Sequence, residues 1–218
     1  MSNANDRAKR QSIIDACRDM NRLGINQGTS GNISLRDGEG MLITPTSVPY
    51  DTMQVDQIVF MKLDDEPEAG QRPSSEWRFH RDILKARADV NAVVHAHSPY
   101  ATVLAIMGME IPAVHYMIAC AGGDTIPCAP YATFGTEELS RYAVAALRDR
   151  SACLLAHPGM ITVGASLAKA MWLAVEVETL ARQYHGALQI GTPPLLSKTE
   201  IEKVRARMAG YGIGSDTN

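Results

Sequence analysis

No stretch of this sequence is apolar over the roughly 18 residues that a membrane-spanning helix needs, so no membrane partner is expected. The opening residues, MSNANDRAKRQS, lack the apolar segment that marks a secretory leader. Basic residues are in slight deficit: 21 Lys and Arg stand against 24 Asp and Glu, a formal charge of -3. That balance supplies no positive field, and nucleic acid is not expected as a partner. Cysteine is sparse, and Cys17, Cys120, Cys128 and Cys153 form no C-x-x-C pair and no disulfide-like spacing. They read as reduced thiols, which with the absent leader gives the expectation of a cytoplasmic protein. There is no internal repeat and no low-complexity segment. What remains is a soluble composition, 45% hydrophobic and 21% charged, in a chain of 218 residues. That length suits one domain over residues 1–218, with a flexible tail from about residue 209, where Gly210-Tyr211-Gly212-Ile213-Gly214 is too glycine-rich for a helix.

The stretch that stands out is Asn91 to Tyr100, NAVVHAHSPY. The apolar run Ala92-Val93-Val94 predicts a strand that leads straight into His95-Ala96-His97. Side chains alternate faces along a strand, so histidines two apart point the same way and can offer two nitrogens to one metal ion. An H-x-H pair alone is a weak signal, because such spacing also arises by chance.

Around it the pattern predicts helices and strands without strict alternation. A helix runs from Asp6 to Leu23 with Gly24 at a left-handed cap. Gly28-Thr29-Ser30-Gly31-Asn32 reads either as a tight turn or as a nest of N–H groups and hydroxyls for an anion. Pro73-Ser74-Ser75-Glu76 opens a helix through Leu84, its serines either ordinary caps or phosphate donors at a helix start. Ala152 to Leu155 is a buried strand, His157-Pro158-Gly159 a turn, and Met160 to Val163 a returning strand. Helices are expected from Thr136, from Ser166 to Leu188, and after Ser197. His80 and His185 lie on helices and read as exposed or capping, and His115 as a packed residue or one lining a site. The expected fold is α/β in three layers, α/β/α, around a mixed and mainly antiparallel sheet.

Taken together, NQGTSGNIS, MLITPTSVPY, PSSEWRFH, NAVVHAH, IPAVHYMIA, GGDTIPCAPYATFGT and the closing GYGI resemble the class II aldolase/adducin family over nearly the whole chain. Within that family the likeness is nearest to members that cleave L-fuculose 1-phosphate. The resemblance implies a zinc-dependent lyase that splits such a ketose 1-phosphate reversibly into dihydroxyacetone phosphate and L-lactaldehyde. It implies Glu76 as metal ligand and acid/base, and His95 and His97 as zinc ligands. It puts Gly31, Asn32, Thr46, Ser47, Ser74 and Ser75 on a phosphate pocket, and Phe134 and Tyr211 near the aldehyde. It also implies a homotetramer in which Tyr116 reaches a neighbouring subunit's site. The lysines sit in polar or amphipathic surroundings, which speaks against a Schiff-base route.

One position departs from the family pattern. The third histidine ligand is usually the residue before the glycine of the turn, and here that residue is Pro158, with His157 one place earlier. Neighbouring residues of extended chain face opposite ways, so His157 substitutes only through a reshaped turn. Three outcomes stay open: three ligands alone, His157 as a displaced fourth, or an empty site. Accordingly a sugar-phosphate epimerase or dehydratase and a metal-poor adducin-like module stand as alternatives.

Overall fold

A computed structural model of the chain describes residues 2–208. Its strands are β1 (Asn32–Asp37), β2 (Gly40–Ile43), β3 (Val59–Lys62), β4 (Ala92–Ala96), β5 (Cys128–Ala129), β6 (Ala152–Leu155) and β7 (Gly159–Gly164). They form one sheet in the order β3-β2-β1-β4-β7-β6-β5. All neighbours are antiparallel except β5 with β6, so the sheet is mixed and mainly antiparallel, as expected. The helices are α1 (Ser2–Arg22), α2 (Trp77–Ala86), α3 (Pro99–Ile106), α4 (Glu137–Ala146), α5 (Leu167–Ile190) and α6 (Lys198–Met208), with single 3-10 turns at Val55–Gln57 and Tyr116–Ala121. None of the described helices is long and apolar enough to cross a membrane.

The sheet's alternation sorts its residues into two cores. Ile33, Leu42, Val94, Ala96 and Leu154 pack with Ile13 and Met20 of α1, Leu104 of α3, Val177 of α5 and Ile201 of α6. Met41, Ile43, Val93, Cys153, Leu155 and Ile161 face the other way, onto Phe79 and Ile83 of α2 and Leu139 of α4. This is the three-layer arrangement. The apolar stripe of α5 (Ala170, Leu173, Ala174, Val177, Leu180, Ala181) recurs at three- and four-residue steps, which aims one helix face at the sheet. At the end of α1, Gly24 is left-handed (φ 70) and the Ile25 N–H reaches back 3.0 Å to the Met20 carbonyl, a Schellman closure.

Two local readings change. Helix α2 starts at Trp77, with Glu76 at the N-cap position and no side-chain cap, so Ser74 and Ser75 lie ahead of the helix instead of in its first turn. Ser74 still serves the helix start, because its Oγ accepts from the Glu76 N–H at 3.3 Å. His80 is not exposed: it is 0% accessible, on the buried stripe of α2. The glycine-rich tail and Tyr211 lie outside the described residues.

Candidate active site

Strand β4 is the centre of the sheet, and its register brings the site together. His95 is directly opposite Asn32 of β1 and Ile161 of β7, so these side chains share the face toward α2. His95 is fully buried, and its Nδ1 faces the Met160 carbonyl at 2.8 Å. A carbonyl only accepts, so the ring proton sits on Nδ1 and Nε2 is left with a free lone pair. That Nε2 stands 3.0 Å from His97 Nε2 and 3.3 Å from Glu76 Oε2. The three ligand atoms lie within 4.8 Å of one another, the only such group of three among the described residues. Burial, with His95 beside it, pushes the His97 pKa down to about 4 against a smaller opposing pull from Glu76, so the ring is neutral at neutral pH. Two imidazoles and a carboxylate converging on one point fit a zinc ion, and three protein ligands are the number a catalytic zinc uses.

Three loops close over this point. Pro45 and Pro73 pair in an isolated antiparallel bridge, and the Ser74 N–H donates to the Thr44 carbonyl at 2.8 Å. This brings Thr46 and Ser47 against Ser74 and Ser75. Ser47 is held left-handed (φ 59), a backbone seldom adopted without glycine. The third loop approaches from β1: a Cβ on Gly31 would meet the His95 carbonyl oxygen at 2.7 Å, so only glycine lets the chain pass this close. Asn26 ties the same loop to the Glu-His-His cluster, its Oδ1 accepting from the His97 N–H at 3.2 Å. Together they bound a cleft of ≈ 310 Å³ lined by Thr29, Ser30, Gly31, Asn32, Thr46, Ser47, Ser74, Ser75, Glu76, His97, Phe134 and Pro158. Hydroxyls and amides dominate the lining, and no Lys or Arg belongs to it, so an anion here would be bound by neutral donors.

Of the residues expected from sequence, Gly31, Asn32, Thr46, Ser47, Ser74, Ser75, Glu76, His97 and Phe134 line the cleft, and His95 lies beneath it. Phe134 is 65% exposed, at the rim. Tyr116 is 51% exposed and does not line the cleft of its own chain. His157 does not join the ligand group. It is left-handed (φ 75) in the turn from β6 to β7, and its exposed ring stands edge-on to Tyr131 at 5.2 Å, while Pro158 takes the place on the cleft wall. His115 caps the 3-10 turn that follows it, its Nδ1 accepting from the Met117 N–H at 3.1 Å. His185 is half-buried, its ring tilted against that of Tyr100.

Sequence reasoning missed a second row of polar residues under the site. Asn32 Nδ2 donates to Glu76 Oε2 at 2.8 Å, and Asn32 Oδ1 faces His80 Nε2 at 2.5 Å. His80 Nδ1 in turn faces the Ser34 hydroxyl at 2.8 Å. The signal for these was available: Glu76 and His80 are four apart on a helix, and Asn32 and Ser34 two apart on a strand.

Comparison with known proteins places this geometry. Residues 11–185 match the model of the class II aldolase and adducin N-terminal domain. The chain is 52% identical over 202 residues to the L-fuculose phosphate aldolase of Escherichia coli (strain K12), covering 92% of this chain and 94% of that one. It is also 52% identical over 205 residues to the 5-methylthioribulose-1-phosphate/5-deoxyribulose-1-phosphate aldolase of Rhodospirillum rubrum, covering 94% and 93%. A solved L-fuculose 1-phosphate aldolase superposes with a TM-score of 0.88 at 36% identity, covering 91% of this chain and 95% of that one. With the family match over residues 11–185, these relatives and the structural likeness in agreement, the chain belongs to the class II aldolase and adducin family.

Proposed function

We propose that the protein cleaves a ketose 1-phosphate reversibly into dihydroxyacetone phosphate and a short aldehyde, with L-fuculose 1-phosphate and L-lactaldehyde as the first pair to test. The observation that carries this is the convergence of Glu76, His95 and His97 at the floor of a cleft whose other donors are uncharged. Glu76, His95 and His97 would hold a zinc ion, which when bound acts as a Lewis acid toward the ketone oxygen that gains negative charge as the carbon–carbon bond breaks. The hydroxyls of Thr46, Ser47, Ser74 and Ser75 and the loop at Gly31 and Asn32 anchor the phosphate, remote from the breaking bond, and so fix the substrate in one geometry. Glu76, at the start of α2, moves the proton at the carbon that keeps the electron pair. None of Lys9, Lys62, Lys85, Lys169, Lys198 and Lys203 lines the cleft, which supports cleavage without a Schiff base. Phe134 and Tyr211 are assigned to the aldehyde end. Tyr116, exposed and away from its own cleft, is assigned to a neighbouring subunit's site in a homotetramer.

A second reading has a specific support. The relative that acts on 5-deoxypentulose 1-phosphates by name is as similar to this chain as the fuculose phosphate enzyme. The test is aldehyde release from L-fuculose 1-phosphate and from 5-deoxyribulose 1-phosphate in parallel, with and without a chelator. The aldolase reading expects release from at least one, lost on chelation and restored by zinc. Epimer without released aldehyde would move the protein to the epimerase alternative. Intact substrate with no bound metal would support the metal-poor binding module.

A further inference from the structure

The buried row Ser34–His80–Asn32 ends on the carboxylate that the reaction needs, and each link in it has one permitted polarity. An ionised carboxylate only accepts, so Asn32 must present its Nδ2 to Glu76, as found. The Asn32 Oδ1 is then turned to His80 Nε2 and only accepts, so Nε2 must carry a proton. A neutral ring protonated there has a bare Nδ1, which the Ser34 hydroxyl fills. Ser34 and His80 are 0% exposed and Asn32 is 4% exposed, so water does not compete for these positions.

We propose that His80 is a positioning residue: protonated on Nε2, it locks the Asn32 amide so that Nδ2, never Oδ1, faces the Glu76 carboxylate. Without that lock the amide turns freely, and its oxygen meets the Glu76 oxygen with two like partial charges. The carboxylate then leaves both the ligand cluster and the proton-transfer position. Burial and the nearby His95 hold the His80 pKa well below its usual value, consistent with a neutral ring. A core histidine with a purely packing role needs none of this directionality, and an aromatic of equal size would replace it, since its ring stacks on Phe79 at 4.7 Å.

The inference rests on the reading of Glu76 as ligand and acid/base, and the test separates the two. The full-length zinc-loaded protein is compared with His80→Gln, His80→Asn and His80→Phe. The Gln amide reaches the place of Nε2 and keeps the donor to Asn32, whereas Asn reaches only the place of Nδ1. Expected is a fall in kcat of about 10- to 100-fold for Phe and Asn, with rescue by Gln and KM within about threefold throughout. Zinc affinity, measured by chelator competition, is expected to follow the same order. Equal activity and zinc affinity of the Gln and Asn variants overturns the inference, as does an effect confined to KM. A His80→Gln protein that fails to fold also overturns it, because packing would then be the role of the ring. Should the wild type bind zinc but cleave no ketose 1-phosphate, the aldolase reading fails and the order of zinc affinities still decides this one.

Discussion

Two tasks are proposed here for Glu76, as ligand and as proton carrier, and both would be performed from the N-cap of α2, where the helix dipole favours an anion. Glu76→Gln keeps the shape and removes the charge; the expected loss in kcat is about 10²- to 10⁴-fold, the range for an acid/base group, with a normal melting curve. Steady-state kinetics beside a thermal melt checks it, and a loss below tenfold would assign the proton transfer elsewhere. Pro158 invites the opposite change. It walls the same cleft as His97, so Pro158→His adds a nitrogen where the structure has none, and zinc retention against a chelator should rise. Unchanged retention would show that three ligands already complete the site. The histidines also predict an acid response. Folding holds His97 down at about 4 against an ordinary value of 6.5, and burial lowers His80 as well, so in that window the unfolded chain binds more protons. The contribution is therefore complete above about pH 6.5 and is lost as the pH falls toward 4. Urea midpoints of the metal-free protein should drop steadily between about pH 7 and pH 4.5, and a flat profile would contradict neutral buried rings.

At the scale of elements, the site depends on how closely two neighbours approach β4. Gly31 comes up to the His95 carbonyl from the β1 side, and Gly159 (φ 133) lies against the Ala96 carbonyl from the β7 side, with His97 Cα only 3.2 Å from where its Cβ would be. A methyl group at Gly159 pushes β7 off the histidine strand. Gly159→Ala is expected to lose about 1–3 kcal/mol of stability, the usual cost of overpacking, together with part of its zinc. Denaturant unfolding with metal analysis measures both, and a variant that loses neither would mean that the β6–β7 turn is free to shift. The strand leading into His95-Ala96-His97 was legible from its apolar run and H-x-H spacing, and so were the cap at Gly24 and the helix starts at Thr136 and Ser166, because these signals are local. The role of Asn32 was not. The resemblance implied a phosphate-pocket place for it, and it does line the cleft, but its contact with Glu76 spans 44 residues of sequence and depends on α2 crossing β1. His80 was misjudged for a related reason: polarity suggests a surface position, and only the facing strand shows that two buried polar partners satisfy it.

For the molecule as a whole, three exposed aromatic residues matter most, Phe134 at the cleft rim and Tyr116 and Tyr131 outside its lining. Tyr116, Tyr131 and Phe134 are 51%, 61% and 65% exposed. In the homotetramer proposed here each cleft is completed by a neighbour. Then Glu76→Gln and Tyr116→Phe subunits, each impaired alone, should regain activity when co-expressed, because some clefts in a mixed assembly pair two intact residues. Absence of complementation in verified mixed oligomers would return Tyr116 to a local role.

The central place of β4 has a consequence for time as well as space. Its backbone is hydrogen-bonded to β1 on one side and β7 on the other, with helices covering both faces. Its amides therefore have no cheap local opening through which to swap hydrogen for deuterium. In heavy water the label should reach Val93 to Ala96 last, at the rate at which whole molecules open. The strand and the fold then share one lifetime, and conditions that leave the protein folded leave His95 where it is.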